Sequence, residues 1–291
     1  MTRVACVGEA MIEMSLDGDT AALAVAGDTL NTAVYLKRCA PEIDVDYITR
    51  LGNDPFSQRI QSFMESESLG LSRIGIDPIA VPGLYAITLS AEGERSFTYW
   101  RSASAARQLF ADGDFTMLEG YDLVYLSGIS LAILPHQVRL DLIAFLKASK
   151  LRVAYDNNHR PRLWNSQDAR ELTEALWSFA DIPLPSLDDE MAIFGAGQEE
   201  VLARFSSGSQ IGAIKCGERG PISLGQSVEQ NYATADNVVD TTAAGDSFNG
   251  GYLAARLRGK HQAESLQAGH AMATKVVGFR GAIIPKSSMQ P

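Results

Sequence analysis

The chain has 291 residues and a formal net charge of −10 at pH 7, which is enough chain for one large α/β domain or two ordinary ones. The acidic balance and the lack of any Lys- or Arg-rich run argue against nucleic acid as a partner. No apolar run approaches the ~20 residues that span a bilayer, and three widely spaced cysteines indicate a reducing compartment, so the sequence predicts a cytoplasmic protein with no membrane partner.

The first segments are typical of a buried strand followed by a turn and a helix. Residues 3–8 (RVACVG) form a short apolar run that ends in Gly, as parallel strands often do. Glu9 follows, and could be a loop acid in solvent. Residues 26–33 (AGDTLNTA) lead into a predicted helix, with Asp28 as a candidate N-cap. Asn31 could cap the same helix without touching a ligand.

Residues 84–101 differ from their surroundings, because alternating apolar residues on both sides of a turn at 91–94 indicate an antiparallel hairpin. Period two places Tyr85 on one face of the first strand, and Tyr99 and Arg101 on one face of the second. A two-stranded ribbon is marginally stable alone, so these strands must pack on another part of the chain.

A strand predicted at 152–155 runs into the polar loop 156–164, which holds Arg160. Such a loop lies at the carboxyl edge of the sheet, where open α/β folds bind ligands. Another predicted strand, 181–184, leads to a helix that carries Asp189 and Glu190. Both acids could simply be first-turn residues favoured by the helix dipole.

Strands are predicted next at 211–216, 221–224 and 230–233, and an extended segment at 237–239. The last helix, predicted over 263–279, has small residues near Ala271. These would let an adenine ring approach, or would allow close helix packing.

The stretch at 240–251 (DTTAAGDSFNGG) carries the clearest chemistry. Its small residues open a predicted helix, whose first N–H groups have no intrahelical partner and favour an anion. Asp246 lies at that opening, placed to take a proton from a hydroxyl that attacks a phosphoryl group. A helix N-cap is the simpler interpretation of Asp246.

Two of these stretches resemble signatures of the ribokinase/PfkB family of carbohydrate kinases. Residues 240–251 are similar to D-T-x-G-A-G-D-x-F, with Ala243 in place of the first Gly, which is tolerable if its φ stays below zero. Residues 26–33 are similar to G-G-x-x-x-N-x-A. The resemblance implies an α/β, ribokinase-like three-layer sandwich with a mostly parallel sheet, in a single domain 1–291. It also implies a small β-sheet lid, with strands from about 10–26 and 84–101.

The same resemblance implies a cofactor set and a role for particular residues. It implies ATP and Mg²⁺, a general base at Asp246, and an anion hole built from the N–H groups of Ala243, Ala244 and Gly245. The implied sugar-binding residues are Gly27, Asp28, Asn31, Tyr85, Tyr99, Arg101, Arg160 and Asp246. The implied nucleotide-binding residues are Asn158, Ser186, Lys215, Gly217, Gly220, Gly245, Ala271 and Thr274. Asp189 or Glu190 would reach Mg²⁺ through water, and Asp240 would help to hold a monovalent cation such as K⁺.

Segments around residues 27–32, 99–106, 156–164 and 240–247 resemble those of family members that phosphorylate 2-keto-3-deoxygluconate. This resemblance implies that sugar acid as the substrate, phosphorylated on its terminal hydroxyl. An aldonate needs its carboxylate neutralised, and Arg101 with Arg160 would supply matching guanidinium groups. The alternatives are a kinase for fructose or 2-keto-3-deoxygalactonate, a non-catalytic sugar-acid-binding protein, and surface ion pairs for the arginines. The exposed lid edge favours a homodimer or a higher homo-oligomer.

Overall fold

The computed structural model describes residues 2–89, 95–206 and 208–289. The turn predicted at 91–94 lies outside them. The strands are β1 (Arg3–Val7), β2 (Met11–Asp17), β3 (Thr20–Ala26), β4 (Asp44–Ile48), β5 (Arg50–Leu51), β6 (Gly75–Ile76), β7 (Gly83–Leu89), β8 (Arg95–Trp100), β9 (Leu123–Ser127), β10 (Arg152–Asp156), β11 (Ile182–Pro183), β12 (Gly212–Lys215) and β13 (Pro221–Leu224). The helices are α1 (Asp28–Cys39), α2 (Pro55–Ser66), α3 (Gly128–Ala132), α4 (His136–Ala148), α5 (Ser166–Trp177), α6 (Leu187–Phe194), α7 (Gln198–Ser206), α8 (Ala244–Leu257) and α9 (Gln262–Val276).

The central sheet has the order β11-β10-β9-β1-β4, and its paired strands are all parallel. Side chains alternate between its two faces, so Val4 and Cys6 enter one apolar core while Ala5 and Val7 enter another. Helices α1, α2, α8 and α9 cover the first face, and α3, α4 and α5 cover the second. The predicted three-layer α/β sandwich is confirmed.

A separate small sheet has the order β3-β2-β7-β8. The predicted hairpin is confirmed, because β7 pairs antiparallel with β8 and Tyr85 lies opposite Tyr99. The sheet is mixed, since β2 pairs parallel with β7. Its Tyr85 and Ile87 pack in one apolar cluster with Ala243. The small sheet therefore lies against the turn that opens α8.

Helix α8 packs between α1 and α9, and this packing brings the signature stretches together. Two glycines permit the close approach. A Cβ on Gly250 would lie 2.6 Å from Cβ of Tyr35 in α1, and one on Gly251 would lie 2.8 Å from the Ala268 carbonyl oxygen in α9. Overpacking of this kind is destabilising, so the two positions need glycine.

Several predicted boundaries were wrong. The strand predicted at 230–233 is not found, because β13 pairs only with β12 in the described chain and the segment after it packs on α9. There the Ala233 carbonyl oxygen lies 2.7 Å from Nε2 of His270. Residues 237–239, expected to be the end of a strand or an extended segment, belong to no strand. Gly27, not Asp28, is the N-cap residue of α1. Of the helices described, none is long and apolar enough to cross a membrane.

Candidate active site

Asp246 is the third residue of α8, and its side chain faces α1 rather than its own helix. Nδ2 of Asn31 donates to Oδ2 of Asp246 at 2.8 Å, and the Thr32 hydroxyl donates to the Asp246 carbonyl oxygen at 3.1 Å. The N-cap residue is Ala243. The interpretation of Asp246 as an N-cap was therefore wrong, as was that of Asn31 as a cap of α1, whose N-cap has no side-chain hydrogen bond.

Ala243 has a backbone conformation that the sequence did not indicate. Its φ is 60° and its ψ is 16°, in the left-handed region, whereas a φ below zero was expected. The reason lies in the turn, since the N–H of Ala244 donates back to the Thr241 carbonyl oxygen at 3.2 Å and the chain must then reverse into α8. An L-residue with a Cβ pays about 1–2 kcal/mol for this conformation.

Replacing Ala243 with Gly is therefore expected to stabilise the fold. Relief of the left-handed strain outweighs the extra freedom that Gly has in the unfolded chain. The free energy of unfolding should therefore rise by ~0.5–1 kcal/mol and the Tm by roughly 1–3 °C. Thermal unfolding measures the change. Ala244→Gly is the matched control and should lower Tm, because Ala244 lies in the first turn of α8. A lower Tm for Ala243→Gly would contradict the strain argument.

The anion hole differs in one member from the expectation. The N–H of Ala244 is already bonded within the turn. In the described chain, no backbone acceptor is found for the N–H groups of Ala243, Gly245 and Asp246. These orphan donors at the start of α8, together with the helix dipole, make a site for a phosphoryl group beside the Asp246 carboxylate.

Burial raises the pKa of Asp246 to about 8, and the neighbouring negative charge of Asp28 acts in the same direction. The hydrogen bond from Asn31 and the ammonium of Lys215 oppose the shift. A carboxyl with such a pKa is a stronger proton acceptor than an ordinary Asp, and it still ionises near neutral pH. The arrangement suits a general base.

The pH dependence of kcat/KM should show this shift. Protonation of Asp246 removes the base, so kcat/KM should fall as pH drops through the raised pKa, well above the ordinary range of Asp. Asp28→Asn removes a negative neighbour and so lowers the pKa of Asp246. The acid limb of its pH profile should therefore move to lower pH, whatever the variant does to the plateau rate. An acid limb that stays in place or moves upward would contradict this electrostatic account.

Beside Asp246 lies a cavity of about 640 Å³. Most predicted nucleotide residues line it, namely Asn158, Ser186, Lys215, Gly217, Gly220 and Thr274. Gly245 also lines it, and so do Arg160 and Asp189. Ala271 does not, because it lies exposed on another face of α9, whereas Ala273 and Thr274 face the cavity. The prediction for Ala271 was therefore wrong by one residue, because its neighbour His270 lines the cavity.

Polar side chains that line the cavity join Asp28, Ser127 and Asn249 in a hydrogen-bond network. Asp28 accepts hydrogen bonds from the Ser127 hydroxyl at 2.5 Å and from Nδ2 of Asn158 at 2.8 Å. Lys215 pairs with Asp156, which also accepts from Nδ2 of Asn249 at 2.6 Å. Sequence reasoning missed Ser127, Asp156 and Asn249 as site residues, although the first two end the parallel strands β9 and β10 at the ligand-binding edge.

Arg101 is held in a buried cluster at the edge of the small sheet. Its guanidinium pairs with Glu9, whose carboxylate also accepts from the Ser104 hydroxyl. Glu9 is 1% exposed, so its interpretation as a loop acid in solvent was wrong. Nε of Arg101 and Oδ1 of Asn31 are buried polar atoms with no hydrogen-bond partner among the described residues, which is unusual in a folded protein.

Nearby, the hydroxyl of Tyr85 donates to Glu13, another acid that sequence reasoning did not place in the site. The rings of Tyr85 and Tyr99 pack with their centroids 5.5 Å apart. The backbone at Gly27 also lies close to that of Glu9, because a Cβ on Gly27 would be 2.2 Å from the Glu9 carbonyl oxygen. Glu9 thus lies between the small sheet and the start of α1.

Arg160 contrasts with Arg101. Its side chain is exposed and faces the cavity, and its Nη1 donates to the carbonyl oxygen of His159 at 2.8 Å. Within the described ranges Arg160 makes no ion pair closer than 4.0 Å. The guanidinium of Arg160 is therefore available to a ligand, whereas that of Arg101 is already compensated by Glu9.

The two candidate metal acids also differ. Asp189 lines the cavity, and burial raises its pKa, followed by the charge of Asp156. Glu190 is fully buried and points away, bonded to Asn157, Trp177 and Arg204. Asp240 accepts from the N–H groups of Thr242 and Gly281, at 3.0 and 2.7 Å. Among the described residues, no three His, Cys, Asp or Glu side chains cluster to hold a metal ion.

Comparison with known proteins shows the family to which the chain belongs. Residues 1–289 match the pfkB family carbohydrate kinases. The 2-dehydro-3-deoxygluconokinase of Dickeya dadantii is 40% identical over 303 residues, covering 98% of each chain. The solved 2-dehydro-3-deoxygluconokinase of Thermotoga maritima superposes with a TM-score of 0.84 at 18% identity, covering 99% of this chain and 98% of that one. A fructokinase from Vibrio cholerae, solved with fructose, ADP and calcium, gives a TM-score of 0.81 at 21% identity, covering 99% and 96%. The chain belongs to the pfkB family of carbohydrate kinases.

Proposed function

We propose that this kinase transfers the γ-phosphate of ATP to the terminal hydroxyl of 2-keto-3-deoxygluconate. The observation that carries the proposal is the Asp246 carboxylate, oriented by Asn31 at a helix start with orphan N–H groups and beside a cavity of about 640 Å³. The 40% identity to a 2-dehydro-3-deoxygluconokinase over nearly the full length supports this substrate. 2-Dehydro-3-deoxygluconate is another name for 2-keto-3-deoxygluconate.

Asp246 accepts the proton of the attacking hydroxyl as the new oxygen–phosphorus bond forms. The bond between the γ-phosphorus and its bridging oxygen breaks at the same time, and ADP leaves. The N–H groups of Ala243 and Gly245 stabilise the charge on the transferring phosphoryl oxygens, where they need no reorganisation. Lys215, which lines the cavity, binds phosphate oxygens.

The residues present fit a magnesium ion brought in with the nucleotide. Mg²⁺ usually takes one or two protein carboxylates and fills its remaining positions with water and phosphate oxygens. Asp189 supplies a carboxylate in the cavity, so no larger acidic cluster is needed. When bound, the ion neutralises phosphate charge and aligns the leaving group. The role of Asp240 in binding a monovalent cation remains a prediction.

The substrate carboxylate is assigned to Arg160, because this guanidinium faces the cavity without an ion pair in the described chain. Arg101 contributes its buried, unpartnered Nε to a substrate oxygen, and Tyr85 and Tyr99 enclose the sugar acid. The small sheet acts as a lid that excludes water and so limits ATP hydrolysis. Homodimer formation also remains a prediction, favoured by the edge strand β8.

The experiment is ADP release with Mg-ATP against 2-keto-3-deoxygluconate, its galacto epimer, fructose and ribose. We expect kcat/KM to be highest for 2-keto-3-deoxygluconate and lowest for the two neutral sugars. Preference for fructose or ribose would overturn the assignment of Arg160 while leaving a carbohydrate kinase. Preference for the galacto epimer would keep the arginine argument and change the substrate.

A further inference from the structure

We propose that Glu190 is a positioning residue, which acts through Asn157 to hold the Ser186 turn, and with it Asp189 and Lys215, at the phosphate end of the cavity. The inference rests on the proposed function, because it assigns that end of the cavity to the nucleotide phosphates. It separates two adjacent acids that the sequence could not distinguish. Asp189 faces the cavity, while Glu190 supports the turn from behind.

The Glu190 carboxylate is 0% exposed and fully bonded. Oε1 accepts from Nδ2 of Asn157 at 3.0 Å and from Nε1 of Trp177 at 2.9 Å. Oε2 accepts from Nη1 of Arg204 at 2.9 Å. Both carboxylate oxygens are thus engaged by donors from β10's following loop, α5 and α7, and the group has the partners that a buried charge requires.

Asn157 connects Glu190 to the turn before α6. Oδ1 of Asn157 accepts from the backbone N–H of Ser186 at 3.0 Å, so one amide side chain bonds both Glu190 and Ser186. Nδ2 of Asn157 also donates to the Ser186 carbonyl oxygen at 3.4 Å, so its shorter hydrogen bond to Glu190 and the two contacts with Ser186 together hold the amide in one orientation. Without the hydrogen bond to Glu190, Nδ2 keeps only the longer contact to Ser186, so the amide and the turn are held less firmly.

The Ser186 turn also contacts residues that line the cavity. Ser186 forms a bridge with Lys215, and the N–H of Lys215 donates to the Pro185 carbonyl oxygen at 2.8 Å. Ser186, Asp189 and Lys215 all line the cavity. A shift of the Ser186 turn therefore moves a carboxylate and an ammonium together, and misplacement by about 1 Å is costly at such a site.

Two conservative variants distinguish a Glu190 carboxylate that positions Asn157 from one that serves the metal ion. Glu190→Gln keeps the Oε1 acceptor for Asn157 and removes the charge, whereas Glu190→Asp keeps the charge and is too short to reach all three donors. We expect Glu190→Gln to bind ADP within about threefold of the parent protein. Glu190→Asp should bind it about tenfold more weakly, roughly the effect of one lost hydrogen bond to a charged group.

The measurement is calorimetric titration with ADP, with and without Mg²⁺, in the absence of any sugar. It therefore tests the inference even if the sugar substrate is wrong. The expected loss for Glu190→Asp appears in both conditions, and the KM for the sugar acid stays unchanged. Glu67→Gln and Glu67→Asp are matched controls, because Glu67 is a buried acid paired with Arg38 and does not line the cavity.

The reverse order of the two variants, with Glu190→Gln weaker than Glu190→Asp, would overturn the inference and point to a carboxylate that serves the metal. A loss confined to titrations with Mg²⁺ would also overturn it, as would equal affinities for both variants. Asn157→Ala gives a further check, since it should weaken ADP binding about as much as Glu190→Asp. The double variant, Asn157→Ala with Glu190→Asp, should bind ADP no more weakly than either single variant. Additive losses of affinity would contradict coupling through Asn157.

Discussion

Replacing Asp246 with Asn is expected to lower kcat by ~10²–10⁴ while leaving the fold and nucleotide binding intact. The amide cannot accept the hydroxyl proton, but its carbonyl oxygen can still accept the hydrogen bond from Asn31. Steady-state kinetics with Mg-ATP and the sugar acid give kcat, and calorimetric titration with ADP checks the nucleotide site. Unimpaired turnover would show that Asp246 is not the base.

A first-turn acid in the neighbouring helix controls for dipole effects. Glu264 lies in the first turn of α9 and does not line the cavity. Glu264→Gln should cost some stability, because it weakens a capping box, and should leave kcat unchanged. A fall in kcat of similar size in both variants would mean that the loss at Asp246 reflects helix stability and not proton transfer.

The second large effect is expected for Arg160→Ala, which should raise the KM for the sugar acid by roughly 10–100-fold, as expected for losing a hydrogen-bonded ion pair. The KM for ATP should change by less than about threefold. Separate titrations of each substrate at saturating levels of the other measure the two constants. A parallel rise in both would place Arg160 on the phosphates and remove it from the carboxylate.

Arg162→Ala is the matched control, because Arg162 is an exposed arginine of the same loop that does not line the cavity. It should leave both constants unchanged. Arg160→Lys should recover part of the affinity, since an ammonium keeps the charge without the planar fork. Arg101→Ala is less informative, because it also leaves Glu9 buried without its ion-pair partner, which by itself destabilises the fold.

The layered fold was predictable because its signals are local. The apolar run at 3–8 and the strand before the polar loop 156–164 each have the pattern of a buried parallel strand, and both pair as such. The sequence of the signature at 240–251 also predicts a helix start with Asp246 beside it, and α8 begins at Ala244. These features depend on residues that are neighbours along the chain.

The finer details of the site depend on contacts that are distant in sequence. Glu9 meets Arg101 and Asn31 meets Asp246 across 92 and 215 positions, and no local pattern indicates either pair. The roles of Asp189 and Glu190 depend on how α6 is rotated against α5 and α7. The conformation of Ala243 depends on the turn at Thr241, where the residue type alone favoured a negative φ.

The most direct test of the account is to identify the product formed from 2-keto-3-deoxygluconate and Mg-ATP by ³¹P–¹H correlation NMR. We predict one phosphate per sugar acid, coupled to the protons of the terminal carbon, with an equal amount of ADP, and formation of the same product at least about 100-fold more slowly by the Asp246→Asn protein. Phosphate on any other oxygen, or ADP formed without a phosphorylated sugar acid, would contradict the geometry proposed for Asp246 and Arg160.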